Sequence, residues 1–162
     1  IGGSRNDTQV SMIELLDHCS EEVASQIHEV LQRAYKVEAE LVNVKEFPPL
    51  RRSVTQIRSA KSSFLGRRIG SELAVVAEYT LNGSHLGIDS LAVHPRFFRR
   101  RLASGMLRSL LDRYDWRTAD VETAAKNYPA IALYSKFGFS ESKRWKTDEG
   151  IEKVQLSCRR NP

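Results

Sequence analysis

Residues 88–111, "IDSLAVHPRFFRRRLASGMLRSLL", change character twice within a short stretch, and this restricts the fold more than any other part of the chain. Ile88, Leu91 and Val93 read as a strand, and Pro95 ends it because proline has no amide to give to a ladder. Leu102, Met106, Leu107, Leu110, Leu111 and Tyr114 then recur at three- and four-residue spacing, which predicts a helix. Between them stand Arg96, Arg99, Arg100 and Arg101 with Phe97 and Phe98 and no acidic residue. No Ser, Thr, Asp or Asn stands ahead of the helix to cap it, so its first amides need another acceptor. Such a turn can cradle a phosphate, grip a nucleic acid, or be a solvated basic corner. The residues alone leave these three readings open.

The flanking sequence supplies the rest of an alternating pattern. Residues 10–16, "VSMIELL", read as a short strand. Ser20 is placed to cap a following helix whose inner face carries Val23, Ile27, Val30, Leu31 and Tyr35, with Glu21 and Glu22 suiting the positive end of its dipole. Pro48 and Pro49 break that pattern and predict a second helix opening at Leu50, with Val54 and Ile57 inward. Strands are expected over 63–69, 72–80 and 85–93, separated by turns at Gly70-Ser71 and Asn82-Gly83. After the helix at Leu102 come a strand over 119–124, a helix capped by Asn127 and ended by Gly138, and strands over 139–146 and 151–158. The order β-α-α-β-β-β-α-β-α-β-β predicts an α/β (α+β) chain, a mixed sheet with helices on both faces. Its 162 residues suit one domain over 10–162, with the unpatterned 1–9 set aside as a disordered end.

Two stretches together resemble the GCN5-related N-acetyltransferase superfamily, known as GNAT. The first is the one quoted above; the second, "VETAAKNYPAIALYSKFGF", matches the pattern N-x-x-A-x-x-L-Y-x-x-x-G-F through Asn127, Ala130, Leu133, Tyr134, Gly138 and Phe139. Leu91, Val93 and Pro95 match the strand-ending L-x-V-x-P. The resemblance implies a mostly antiparallel central sheet and transfer of an acetyl group from acetyl-CoA to a primary amine by direct attack in a ternary complex. It implies that the coenzyme A diphosphate rests on Phe98, Arg99, Arg100, Arg101, Leu102, Ala103 and Ser104, and that Leu91, Ala92 and Val93 line the pantetheine arm with their backbone. By the same resemblance Asn127 and Ala130 contact that arm, Tyr134 protonates the departing sulfur, and Asp89 is the first choice for the general base, with Glu78 in reserve. The phosphate loop departs from the family pattern: Phe98 stands where Gln or Arg is usual, and Arg101 where a glycine is usual. An arginine there is expected to keep the contact only with a negative φ and an outward side chain.

Composition narrows the alternatives. The formal net charge of +5 keeps a nucleic-acid-binding module as a rival, although such a module leaves the second motif unexplained. A GNAT-like domain that binds coenzyme A without turnover is the other rival. Cys19 and Cys158 lie far apart, which favours neither a disulfide framework nor zinc and makes a reducing cytoplasm the default. His18, His28, His85 and His94 lack metal-ligand spacing, so no metal is expected. No apolar run approaches the roughly 20 residues of a spanning helix, so no membrane partner is expected. A homodimer is an expectation from the family alone. The acceptor wall is expected within residues 20–61, where Glu38, Glu40 and Glu46 can draw an amine or Arg51 and Arg52 a carboxylate, and in the final hairpin.

Overall fold

The computed structural model describes residues 12–161. Among the described residues, seven strands and four helices follow one another in the order expected: β1 (Glu14–Leu15), α1 (Glu21–Leu41), α2 (Val54–Arg58), β2 (Ser63–Ile69), β3 (Glu72–Asn82), β4 (His85–Val93), α3 (Leu102–Arg113), β5 (Thr118–Ala124), α4 (Tyr128–Lys136), β6 (Ser140–Lys146) and β7 (Glu152–Arg159). They form one sheet in the order β1-β2-β3-β4-β5-β7-β6. Every neighbouring pair is antiparallel except β4 with β5. The expected strand over 10–16 pairs only at Glu14 and Leu15, and residues 1–11, which include its first part and the segment set aside, lie outside the described residues.

Apolar alternation assigns the helices to two faces. Phe64 and Val76 point to one face, where Ala24, Ile27, Val30 and Leu31 of α1 and Ile57 of α2 cover them. Leu65, Val75 and Ala77 point to the other, under Leu102, Met106, Leu107 and Leu110 of α3 and Tyr134 of α4. Each fully buried Leu or Met among these contributes about 1.5–3 kcal/mol by leaving water. The β2–β3 and β3–β4 hairpins turn on Gly70 and Gly83, whose φ values of +62° and +58° favour glycine. Asn82 pairs with His85, so the second turn is Gly83-Ser84, one residue beyond the expected pair.

Two local expectations are corrected. Pro48–Arg51 forms only a 3-10 turn, and α2 starts at Val54, because Ser53 and Gln56 make a reciprocal capping box that fixes the start four residues beyond Leu50. Ser20 does stand at the N-cap of α1, but its side chain makes no capping hydrogen bond there.

Two irregularities open the sheet. Ladder pairs between β4 and β5 run from His85↔Thr118 to Ile88↔Val121 and stop, although β4 continues to Val93 and β5 to Ala124. At the same level the β3–β4 register shifts, with Tyr79 opposite Ile88 but Glu78 opposite Ser90, so Asp89 is the extra residue of a bulge that bends β4. The C-terminal half of α1 crosses toward the end of β5, where Ala39 and Val42 pack with Ala124, Phe47 and Ile151.

Candidate active site

The diverging ends of β4 and β5 open onto a cavity of about 710 Å³, within the usual size range of small-molecule sites. Its walls come from four elements: β4 gives Leu91, Ala92 and Val93; the loop and first turn of α3 give Phe98, Arg99, Arg101, Leu102, Ala103 and Ser104; α4 gives Asn127, Ala130 and Tyr134; and α1 gives Tyr35 and Glu38.

The start of α3 leaves amides free for an anion. The first amide closing an intrahelical bond is that of Gly105, to the Arg101 carbonyl, and Arg101 at the N-cap supplies no side-chain acceptor. The amides of Leu102, Ala103 and Ser104 are thus left at the cavity edge at the positive end of the helix. Arg101 reaches this geometry with φ +57° and ψ +27°, and Arg99 has φ +64°. The negative φ on which the Arg101 contact was expected to depend is therefore not met: the arginine adopts the left-handed conformation that favours glycine. Arg101 is exposed and lines the cavity without filling it.

Two further expected residues lie elsewhere. Arg100 is outside the cavity wall, its guanidinium 5.5 Å from the centre of the Phe97 ring. Asp89 is exposed on the bulge, accepts a hydrogen bond from Thr80 Oγ1 at 3.0 Å and does not line the cavity, because the extra residue turns it out of the strand's alternation. Partial burial nevertheless raises its carboxyl above the ordinary value. Arg96, part of the basic run, turns away to Glu72 at 2.7 Å. Glu78 is 4% exposed and held by Arg52 Nη1, 2.8 Å from both carboxylate oxygens. Arg52 thus takes a carboxylate of the protein itself. Glu40, Glu46 and Arg51 are exposed and outside the cavity.

On the opposite wall, Asn127 Oδ1 caps α4 by accepting from the Ala130 amide at 3.3 Å. Its side chain shares the cavity wall with Glu38 and is near enough to favour the charged carboxylate. Tyr134 is 4% exposed, and burial, reinforced by the charges of Glu38 and Tyr35, holds its phenol proton well above the ordinary value. Tyr35 donates to or accepts from Ser90 Oγ at 2.8 Å, and burial pushes its phenol up to about 12. Glu38 is half-buried, and its carboxyl is raised by desolvation, against the nearby Asn127 amide and the charge of Lys153.

The sequence reading passed over Ala34, Tyr35, Val37 and Leu41 as site residues and named Glu38 only among several acids. Their signal is the spacing 34, 37, 38, 41, one stripe of α1. Val37 and Leu41 remain 39% and 47% exposed, so the stripe is not covered by the core. Among the described residues, no three His, Cys, Asp or Glu side chains converge as a metal site. No helix among them is long and apolar enough to cross a membrane.

Residues 24–139 match the Acetyltransferase (GNAT) family. The chain is 33% identical over 141 residues to UPF0157 protein YqkA of Bacillus subtilis (strain 168), a match covering 86% of this chain and 41% of that protein. This chain therefore spans about two fifths of the length of that curated relative. It is similar in structure to the ribosomal-protein-S18-alanine N-acetyltransferase from Escherichia coli, with a TM-score of 0.72 and 21% identity over 91% of this chain and 92% of that one. It is also similar to PaiA N-acetyltransferase from Thermoplasma acidophilum in complex with coenzyme A, with a TM-score of 0.70 and 15% identity over 93% of this chain and 100% of that one. At these identities the two structures show a shared fold.

Proposed function

The chain belongs to the Acetyltransferase (GNAT) family, and from that premise we propose that it is an N-acetyltransferase that takes acetyl-CoA as donor and a primary amine as acceptor. The observation that carries this reading is the shared cavity. The unbonded amides at the start of α3, the free edge of β4 and the hydroxyl-bearing Tyr134 all open onto one space.

The residues present suit a coenzyme A thioester. The amides of Leu102, Ala103 and Ser104 would hold its diphosphate, with Arg99 and Arg101 adding charge-assisted contacts. The cavity walls formed by Leu91, Val93, Ala130 and Leu133 would take the less polar pantetheine arm. Past Ile88, β4 has no ladder partner on the β5 side, so its edge amides can bond the arm and polarise the acyl carbonyl. When bound, acetyl-CoA supplies the activated acyl group. Tyr134, held protonated by its burial, serves as the acid for the leaving sulfur.

A nucleic-acid groove fits less well. Of the two rings in the basic turn, Phe97 is 6% exposed and packed in the core, which leaves Phe98 alone, 44% exposed, as a face on which a base could stack. Thermal denaturation tests the two readings together. Acetyl-CoA at 100 times its Kd should stabilise the protein by about 2.7 kcal/mol, whereas an oligonucleotide at physiological salt should not shift the midpoint. Stabilisation by the oligonucleotide alone would overturn the proposal. Thiol release from acetyl-CoA across a panel of primary amines then separates an enzyme from a silent coenzyme A binder.

A further inference from the structure

The gap in the sheet joins two faces that a continuous ladder would keep apart. Tyr134 approaches from the α4 side, and Glu38 lines the same space from α1. The two are close enough for the Glu38 charge to act on the Tyr134 phenol. Every other carboxylate considered for the reaction lies elsewhere: Asp89 on the outward bulge, Glu78 clamped by Arg52, Glu40 and Glu46 in solvent.

Resting on the acetyltransferase reading, we propose that Glu38 is the catalytic base for the acceptor, its carboxylate receiving a proton from a primary ammonium placed between α1 and the free edge of β4. Three features of the site carry this. Glu38 is on the cavity wall and comes from α1, which packs on the other sheet face from α3 and α4, so an amine can reach it from the α1 side of the cavity that Tyr134 also lines. Asn127, whose oxygen is committed to the α4 cap, shares that wall and favours the charged form of Glu38 without neutralising it. The groups facing Glu38 are Lys153 from β7, Tyr134 and Asn127 from α4, and Tyr35 on its own helix, with Arg99 and Arg101 on the cavity rim. None of these makes an ion pair with Glu38 within 4.0 Å among the described residues, so the carboxylate remains available to an incoming cation.

The proton count closes. The ammonium gives one proton to Glu38, and the resulting amine nitrogen bonds to the acyl carbon as the carbon–sulfur bond breaks. Tyr134 gives its proton to the sulfur and regains one from the new amide nitrogen, which keeps its last. Glu38 then returns its proton to water. One amide, one thiol and one free proton result.

Thiol release is measured from pH 5.5 to 9.5 with acetyl-CoA and the best acceptor in a panel of a diamine, a lysine amide, an alanyl-terminated peptide and an aminoglycoside. Glu38→Gln should lower kcat/KM for that amine about 100-fold. The acid limb of the profile should flatten, while the Kd for coenzyme A, read by calorimetry, stays within twofold. Glu38→Asp should restore part of the rate, and Glu29→Gln, on the exposed side of the same helix, should behave as wild type. The proposal is overturned if Glu38→Gln keeps the wild-type limb, if Asp89→Asn removes it instead, or if Glu38→Gln loses coenzyme A binding as well. Wild-type protein that binds coenzyme A but releases no thiol with any amine overturns the transferase reading and this inference with it.

Discussion

Arg101 offers a test that separates backbone conformation from charge. A non-glycine residue in the left-handed region costs about 1–2 kcal/mol relative to the right-handed one. Arg101, at φ +57°, carries that cost in the folded state. Arg101→Gly removes it but gives the unfolded chain freedom worth about 0.5–1 kcal/mol, leaving a net gain of roughly 0.5–1 kcal/mol. Arg101→Ala keeps the conformational cost and loses the same guanidinium, so the two variants differ in stability by about 1 kcal/mol with the charge held equal. For a chain of 162 residues that difference is about 2–4 °C in Tm, readable by thermal denaturation without ligand. Calorimetry should then show both variants binding coenzyme A about tenfold more weakly than wild type, because each loses one exposed charge-assisted contact of about 1.5 kcal/mol. An alanine variant that melts at or above the glycine variant would refute the reasoning, since the turn into α3 would then not require a positive φ.

Other substitutions probe the remaining parts. Tyr134→Phe should leave acetyl-CoA binding and Tm nearly unchanged while reducing kcat about 100-fold in the thiol-release assay, the size expected for losing a general acid. Arg52→Ala should destabilise by about 3 kcal/mol in urea denaturation, because it strands the Glu78 carboxylate in the core. Gly66→Ala should cost about 1–2 kcal/mol in the same assay. Its Cβ would stand 2.7 Å from Leu16 Cδ1 and 2.8 Å from Leu73 Cδ1, both confined in the packed face under α1.

The element order was legible because each element here buries a face, and burial imposes a period on the sequence. The stripe from Leu102 to Leu111 and the Asn127-to-Gly138 segment are examples, and both helices start and stop close to where their signals stand. Boundaries set by competing caps were less legible: at Pro48-Pro49 the sequence offers a helix start, but the Ser53–Gln56 capping box offers a better one a few residues later. At Arg101 a negative φ was the condition for the phosphate contact, and the turn into α3 takes a positive one, which a neighbouring-residue pattern does not encode. Glu38 was the least visible. Its spacing with Ala34 and Leu41 is that of any half-polar helix face, and nothing in the chain's local pattern says that this face looks into a gap between two strands.

That gap follows from the one parallel pair in an otherwise antiparallel sheet. An antiparallel hairpin brings two strands back along their whole length, whereas β4 and β5 are joined only through α3 and can be parallel for as long as their twist allows. The bulge at Asp89 ends that agreement by turning β4 away just as the ladder to β5 stops. Past that point the β5 side of β4 presents backbone groups that must find another partner, since unpaired polar groups facing an apolar wall are costly. A ligand arm lying along β4 would satisfy them as a substitute strand. The same extra residue turns Asp89 outward, so the distortion that opens the site also removes the carboxylate nearest to it in sequence. For the proposed reaction, a proton acceptor would then come from the helix that crosses the opening, and Glu38 is the only carboxylate on the cavity wall among the described residues.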